Sequence, residues 1–140
     1  MRALILHTNR FETKVIMGSN WPKGIISETV SSTEKIELEN CLTIFFCVEE
    51  SDTEKQLDEL YTEIIKTSDE IQTNNLLISP FVHLSNNIAK PALAKSLYER
   101  LVKKIDNTKY NVKSSPFGYH KSLMLDIKGH PGSFRYREFY

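Results

Sequence analysis

The chain has 140 residues, 40% of them hydrophobic and 26% charged, with a formal net charge of zero. That length supports one domain whose core buries roughly 65–70% of the unfolded chain's surface, so neither disulfides nor metals are needed to stabilise it. No apolar run approaches the ~18 residues of a membrane helix, and Met1-Arg2 leads straight into a strand-like run with no signal-peptide pattern, so a cytoplasmic setting away from membranes is expected.

In chain order, Arg2 to His7 reads as a buried strand and Phe11 to Ile16 as a second, paired with it as a hairpin across Thr8-Asn9-Arg10. Residues 17–40 hold Gly18, Pro22, Gly24 and scattered Ser and Glu without a period, which predicts a long irregular connection. Leu42 to Val48 is apolar on both faces and therefore a central strand. Ser51-Asp52-Thr53-Glu54 fits a capping box, and Leu57, Leu60, Tyr61, Ile64, Ile65 and Ile71 then recur as one stripe of an amphipathic helix. Leu76 to Ser79 is a short buried strand, after which Pro91 suits a first helical position for a second stripe from Leu93 to Ile105. Asn107 to Tyr110 turns the chain back, and Val112 to Ser115, Tyr119 to Ile127 and the alternating tail from Phe134 supply three more strands. The fold class is therefore α/β: a single domain with a mixed β-sheet and two amphipathic crossover helices, both on one face because the crossovers are right-handed.

Cys41 and Cys47 flank one strand, which holds them about 20 Å apart and predicts free thiols. Residues 1–87 carry 7 basic and 14 acidic side chains and residues 88–140 carry 11 and 4, so the two parts stand at −7 and +7. Such asymmetry points to an anionic ligand on the C-terminal part or to a basic solvated face, while overall neutrality argues against tracking a long phosphate backbone.

Two segments close apolar runs in the same way: Ser79-Pro80-Phe81-Val82-His83-Leu84-Ser85 and Ser115-Pro116-Phe117-Gly118-Tyr119-His120-Lys121. His83 follows a buried strand and would lie over the carboxyl ends of the strands, the usual crevice of an open α/β sheet. Lys121 at a strand start can act as a point charge for a carboxylate, phosphate or developing oxyanion. His120 and Lys121 are neighbours and should face opposite ways in a regular strand, so only one is expected in a given pocket. Gly129-His130-Pro131 reads as a turn with an incidental ring, and His7 as a satisfied strand-end histidine. Ser85 and Ser115 lack a G-x-S-x-G elbow, and there is no Walker loop, Rossmann glycine run or metal-ligand spacing, so neither covalent catalysis nor a cofactor is expected.

Together with Arg2 to His7, Phe45-Phe46-Cys47-Val48-Glu49, Ala89-Lys90-Pro91 and Lys128-Gly129-His130-Pro131, these blocks make the chain resemble the N-terminal editing domain of archaeal threonyl-tRNA synthetases, which shares the D-aminoacyl-tRNA deacylase-like fold. The resemblance spans residues 1–140 as one editing domain. It implies hydrolysis of the ester joining serine to the 3′-terminal adenosine of tRNA(Thr), by a homodimer that is free-standing or joined to a synthetase catalytic domain. One methyl in a pocket discriminates by only ~1–3 kcal/mol, so a second, tighter pocket is needed to remove serine loaded in place of threonine. An aminoacyl ester is reactive enough to need only a positioned water and a stabilised oxyanion, and the RNA's own 2′-hydroxyl is implied to help activate that water. The resemblance assigns Lys121 to anchoring substrate and water, and His83 to the seryl group or its adenosine. Backbone groups of Thr43, Ile44, Phe45 and Phe46 would line the amino-acid pocket with Pro80, Phe81, Pro116, Phe117, Gly118, Tyr119 and His120, and Lys90 and Lys128 would meet the RNA. The chain departs from the family pattern where His120 replaces a tyrosine, Ile127 a cysteine and Phe134 a glutamate. A D-aminoacyl-tRNA deacylase and a tRNA-docking module without turnover are the rival expectations.

Overall fold

The computed structural model describes residues 1–25, 27, 35–106 and 108–140. Its elements are strands β1 (Arg2–Gly18), β2 (Lys35–Cys47), β3 (Asn75–Pro80), β4 (Asn111–Ser114), β5 (Tyr119–Ile127) and β6 (Phe134–Glu138), with helices α1 (Glu54–Ile71) and α2 (Pro91–Asp106) and a 3₁₀ turn at Val82–Leu84. The six strands form one mixed sheet in the order β4-β3-β2-β1-β5, with β6 pairing β1. β2, β3 and β4 run parallel, joined by α1 and α2 as crossovers.

The expected N-terminal hairpin does not form. Arg2 to Gly18 is one strand, paired with β2 from Arg2–Cys47 to Lys14–Lys35. Its other edge is shared, β6 covering Arg2 to Leu6 and β5 covering Thr8 to Gly18. Thr8-Asn9-Arg10 resembles a turn locally, but partners on both edges keep it extended, and a β-bulge against β5 absorbs the irregularity. Across from it, Asn40 of β2 takes a positive φ of 46°. The inward-facing parity changes here, so Leu6 and Phe11 reach the same buried cluster.

β2 begins at Lys35, earlier than the expected Leu42, because Ile36 and Leu38 alternate with charged residues as a half-exposed strand does. Residues 26 and 28–34 of the expected irregular connection, and Asn107 of the later turn, lie outside the described residues. The capping box is shifted by two residues: Thr53 caps α1, its hydroxyl accepting from the Lys55 N–H and its N–H donating to the Gln56 side chain. Asp52 is drawn away by the Glu49 N–H at 2.6 Å.

Both helices cover one sheet face. Leu57, Leu60 and Ile64 of α1 and Leu97, Leu101 and Ile105 of α2 pack with Ile5, Ile44, Leu76 and Ile78 in the larger core cluster. The other face holds Leu6, Phe11, Cys41, Phe45 and Leu77, covered by Phe81, Leu84, Leu125 and Ile127. Both cysteines are free and buried.

The charge asymmetry has an internal use. α1 is acidic and lies between basic partners: Lys104 meets Asp58 and Arg100 meets Glu54 on the α2 side, while Arg135 reaches Glu70 at 2.5 Å and Arg137 reaches Glu63 at 3.0 Å on the β6 side. Four of the eleven C-terminal cations are thus paired with N-terminal carboxylates.

Candidate active site

The parallel strands β2 and β3 end at Cys47 and Pro80, and β4 ends at Ser114 beside them. A cleft of about 260 Å³ opens at this carboxyl end, where open α/β sheets usually bind ligands. That volume is on the scale of a small-molecule cleft and far too small to take a duplex.

The two Pro-Phe segments build opposite walls. After β3, Phe81 N–H donates to the Phe46 carbonyl (2.9 Å), Ala89 N–H to the Val48 carbonyl (2.9 Å) and Glu50 N–H to the Asn87 carbonyl (3.3 Å), so the loop is tied to the end of β2 at both ends. Ser85 Oγ donates to Glu49 Oε1 at 2.5 Å and accepts from the Asn87 N–H, fixing the middle of the loop. Burial pushes the Glu49 carboxyl up, but hydrogen bonds from Ser85 and the Met1 ammonium outweigh it and hold Glu49 below its ordinary value. The motif's second serine is therefore a loop fastener. His83, on the 3₁₀ turn Val82–Leu84, is exposed and stands edge-on to Phe81, ring centroids 5.1 Å apart.

After β4, Ser115 N–H donates to the Ile78 carbonyl, which carries the second wall alongside the first. The Ser115 and Ser79 hydroxyls, both buried, share a hydrogen bond of 2.8 Å. Tyr98 of α2 donates its hydroxyl to the Ser115 carbonyl at 2.7 Å and packs against Phe117. Gly118 turns the chain with φ 88°, the left-handed region that a Cβ disfavours. Lys121 then folds back, Nζ donating to the Pro116 carbonyl at 2.6 Å and to Ser115 Oγ at 3.2 Å. These two contacts fix the ammonium at the cleft wall, where a positive charge can meet a ligand's developing anion.

Of the residues singled out in the sequence, Phe46, Pro80, Phe81, His83, Phe117, Gly118, Tyr119, His120 and Lys121 line this cleft. Pro116 contributes its carbonyl to Lys121. His120 and Lys121 both border the cleft, against the expectation from strand alternation. They open β5 where β1 bulges between Val15 and Met17, the partners of Lys121 and His120, and the sharper local twist lets both reach one cavity. Thr43, Ile44 and Phe45 are buried deeper, paired with β1 and β3 and outside the cleft wall. Lys90 is exposed between the wall residues Ala89 and Pro91. Lys128 is elsewhere, its Nζ on Asn9 Oδ1 (2.7 Å) and Asn40 Oδ1 (3.2 Å). Phe134 is 62% exposed on β6 opposite Leu6, and Glu138, the nearest carboxylate along the strand, lies opposite Arg2.

Sequence reasoning missed Trp21, Cys47 and Tyr98 as wall residues. Tyr98 was legible only as one more apolar position of a helix, and Trp21 fell in a stretch without period. Cys47 lies in the wall, but burial pushes its thiol up to about 11, which suits a packing residue and not a nucleophile. The titratable side chains of the wall are thus Lys121, His83, His120, Tyr98, Tyr119 and Cys47. Among the described residues, no three His, Cys, Asp or Glu side chains gather as metal ligands would. No described helix is long and apolar enough to cross a membrane.

Over residues 1–139 the chain matches the family described as the archaea-specific editing domain of threonyl-tRNA synthetase. Relatives include threonine–tRNA ligases of Pyrococcus furiosus, 35% identical over 137 residues, and Methanococcus aeolicus, 32% identical over 136; each match covers 94% of this chain. The chain spans about a fifth of those relatives, 21% and 20% of their lengths. A solved structure titled c-Myc DNA Unwinding Element Binding Protein superposes with a TM-score of 0.75 over 100% of this chain and 99% of that one. At 13% identity it shows a common fold alone, the D-aminoacyl-tRNA deacylase-like fold.

Proposed function

Because the chain belongs to the archaea-specific editing-domain family of threonyl-tRNA synthetases, we propose that it hydrolyses the ester of L-seryl-tRNA(Thr), releasing serine and tRNA(Thr). The observation that carries this reading is the Lys121 ammonium, fastened by the Pro116 carbonyl and Ser115 hydroxyl at the wall of the cleft over the carboxyl ends of the parallel strands. In the proposed reaction water adds to the ester carbonyl and the 3′-oxygen of the terminal ribose leaves with a proton. Lys121 holds the water and steadies the oxyanion, while His83 meets the adenosine or the seryl group. The neighbouring 2′-hydroxyl of the RNA serves as proton acceptor in relay, so the protein supplies placement and charge.

The amino-acid pocket is drawn from the wall residues Phe46, Pro80, Phe117, Gly118 and Tyr119, and editing requires that it have no room for the one methyl that threonine adds to serine. A tight pocket excludes threonine sterically, where a merely snug one would discriminate by only ~1–3 kcal/mol. Lys90 at the cleft edge meets the acceptor strand. A homodimer is also proposed, supported by Ile16, Met17, Leu123 and Met124, large apolar side chains left exposed along β1 and β5. The test is release of serine, threonine and D-amino acids from charged tRNA(Thr). Loss of serine alone is expected; preferential loss of a D-amino acid would assign the chain to the chiral deacylases, and binding without any release would make it a docking module.

A further inference from the structure

Trp21 borders the cleft yet is 60% exposed, unlike the aromatic residues Phe46, Tyr98 and Phe117 of the same wall, which are 2%, 3% and 7% exposed. Those inner rings spend their faces on one another: Phe46 stacks on Tyr98 with centroids 6.3 Å apart, and Tyr98 meets Phe117 at 5.9 Å. Among the described residues no aromatic ring pairs with Trp21, so the largest π-surface of the chain stands at the rim.

The Trp21 backbone is nevertheless fixed in place. Ser19 Oγ donates to the Trp21 carbonyl at 2.7 Å and accepts the Trp21 N–H at 3.3 Å, and Ser19 N–H donates to the Gly118 carbonyl at 2.8 Å. Gly118 belongs to the turn that delivers Lys121. The rim indole and the wall ammonium are therefore carried by one hydrogen-bonded unit, which would keep a stacked base and a reacting ester at a set separation. We infer that Trp21 is the platform on which the terminal nucleobase of the RNA stacks, a role that rests on the deacylase reading and adds a substrate-binding residue to it. A flat ring takes any base face without hydrogen-bond readout, as an RNA end whose last base is unpaired requires.

Trp21 is the chain's single tryptophan, so its fluorescence reports this contact directly. The probes are 3′-deoxy-3′-(L-serylamino)adenosine, which cannot be hydrolysed, and the corresponding base-free ribosyl amide. Saturable quenching by the first and none by the second is expected. Trp21→Ala should raise KM for seryl-tRNA(Thr) about 5- to 150-fold with kcat little changed, by the usual worth of one stacked base, while Trp21→Phe should keep most of the affinity. Unchanged KM in Trp21→Ala alongside active wild type would overturn the inference, as would quenching that follows protein concentration instead of ligand, which would place the ring against a second copy. Absence of hydrolysis by wild type defeats the functional reading instead, and the titration then still decides Trp21 by itself.

Discussion

Ser115 joins the fold to the proposed chemistry more directly than any other side chain. Its hydroxyl touches both the Lys121 ammonium and the buried Ser79 hydroxyl, and its carbonyl accepts from Tyr98. Ser115→Ala should therefore act twice. It removes one fastening of Lys121 and loosens its position, lowering kcat about 10-fold with KM nearly unchanged, since misplacement of a charge-stabilising donor weakens the transition state more than the bound ground state. It also strands the Ser79 hydroxyl in the core, at a cost of about 1–3 kcal/mol in unfolding free energy. Steady-state kinetics and urea unfolding of the same variant check both effects; lost stability with full kcat would show that Lys121 does not depend on Ser115. The role of Lys121 was readable from its place after Ser-Pro-Phe-Gly, but Ser115 was not. Its significance comes from a partner 36 residues away across two parallel strands, a contact that no local pattern encodes.

At the scale of elements, the helices and parallel strands were the legible part, because stripe and alternation follow from burying one face. The N-terminal hairpin was misread for the complementary reason. Thr8-Asn9-Arg10 is polar and turn-like by itself, and only the partners β2 and β5, both distant in sequence, hold it extended. The place where β5 hands the β1 edge to β6 has its own fastening: His7 N–H donates to the Ser133 carbonyl, Lys128 N–H donates to the His7 carbonyl, and His7 Nδ1 lies 2.6 Å from His130 Nε2. His130 Nδ1 accepts from the Gly132 N–H, so Nε2 carries the proton and donates to neutral His7. Burial, the His130 ring and the Lys128 ammonium all push His7 below the ordinary imidazole value. With the folded value below the unfolded one, this contribution is complete above about pH 6.5 and is lost as pH falls through and below that value. His130→Phe should lower Tm by about 3 °C at pH 7.5, from one hydrogen bond of roughly 1 kcal/mol, and the gap to wild type should narrow by pH 5.5. A gap that stays constant across this range would mean the histidine pair does not couple to folding.

For the whole molecule, the −7 and +7 parts of a neutral chain meet through α1, where four of the eleven C-terminal cations pair with its carboxylates. Such exposed pairs contribute little individually to stability, but they leave fewer cations for RNA than the sequence count suggests. Binding of tRNA(Thr) should therefore show a shallow salt dependence, a slope of about −2 to −3 in log K against log salt, against roughly −6 if all seven surplus charges met phosphates. A slope near the larger value would require the ion pairs to open on binding.

The central claim is that Lys121 serves ester hydrolysis at this cleft, and single-turnover release of serine from seryl-tRNA(Thr) by wild type and Lys121→Met tests it most directly. Rapid release by wild type is expected, with a loss of about 10²- to 10³-fold in the variant and circular dichroism and Tm close to wild type, as removal of one transition-state donor does elsewhere. Wild-type rates in a folded Lys121→Met variant would contradict it.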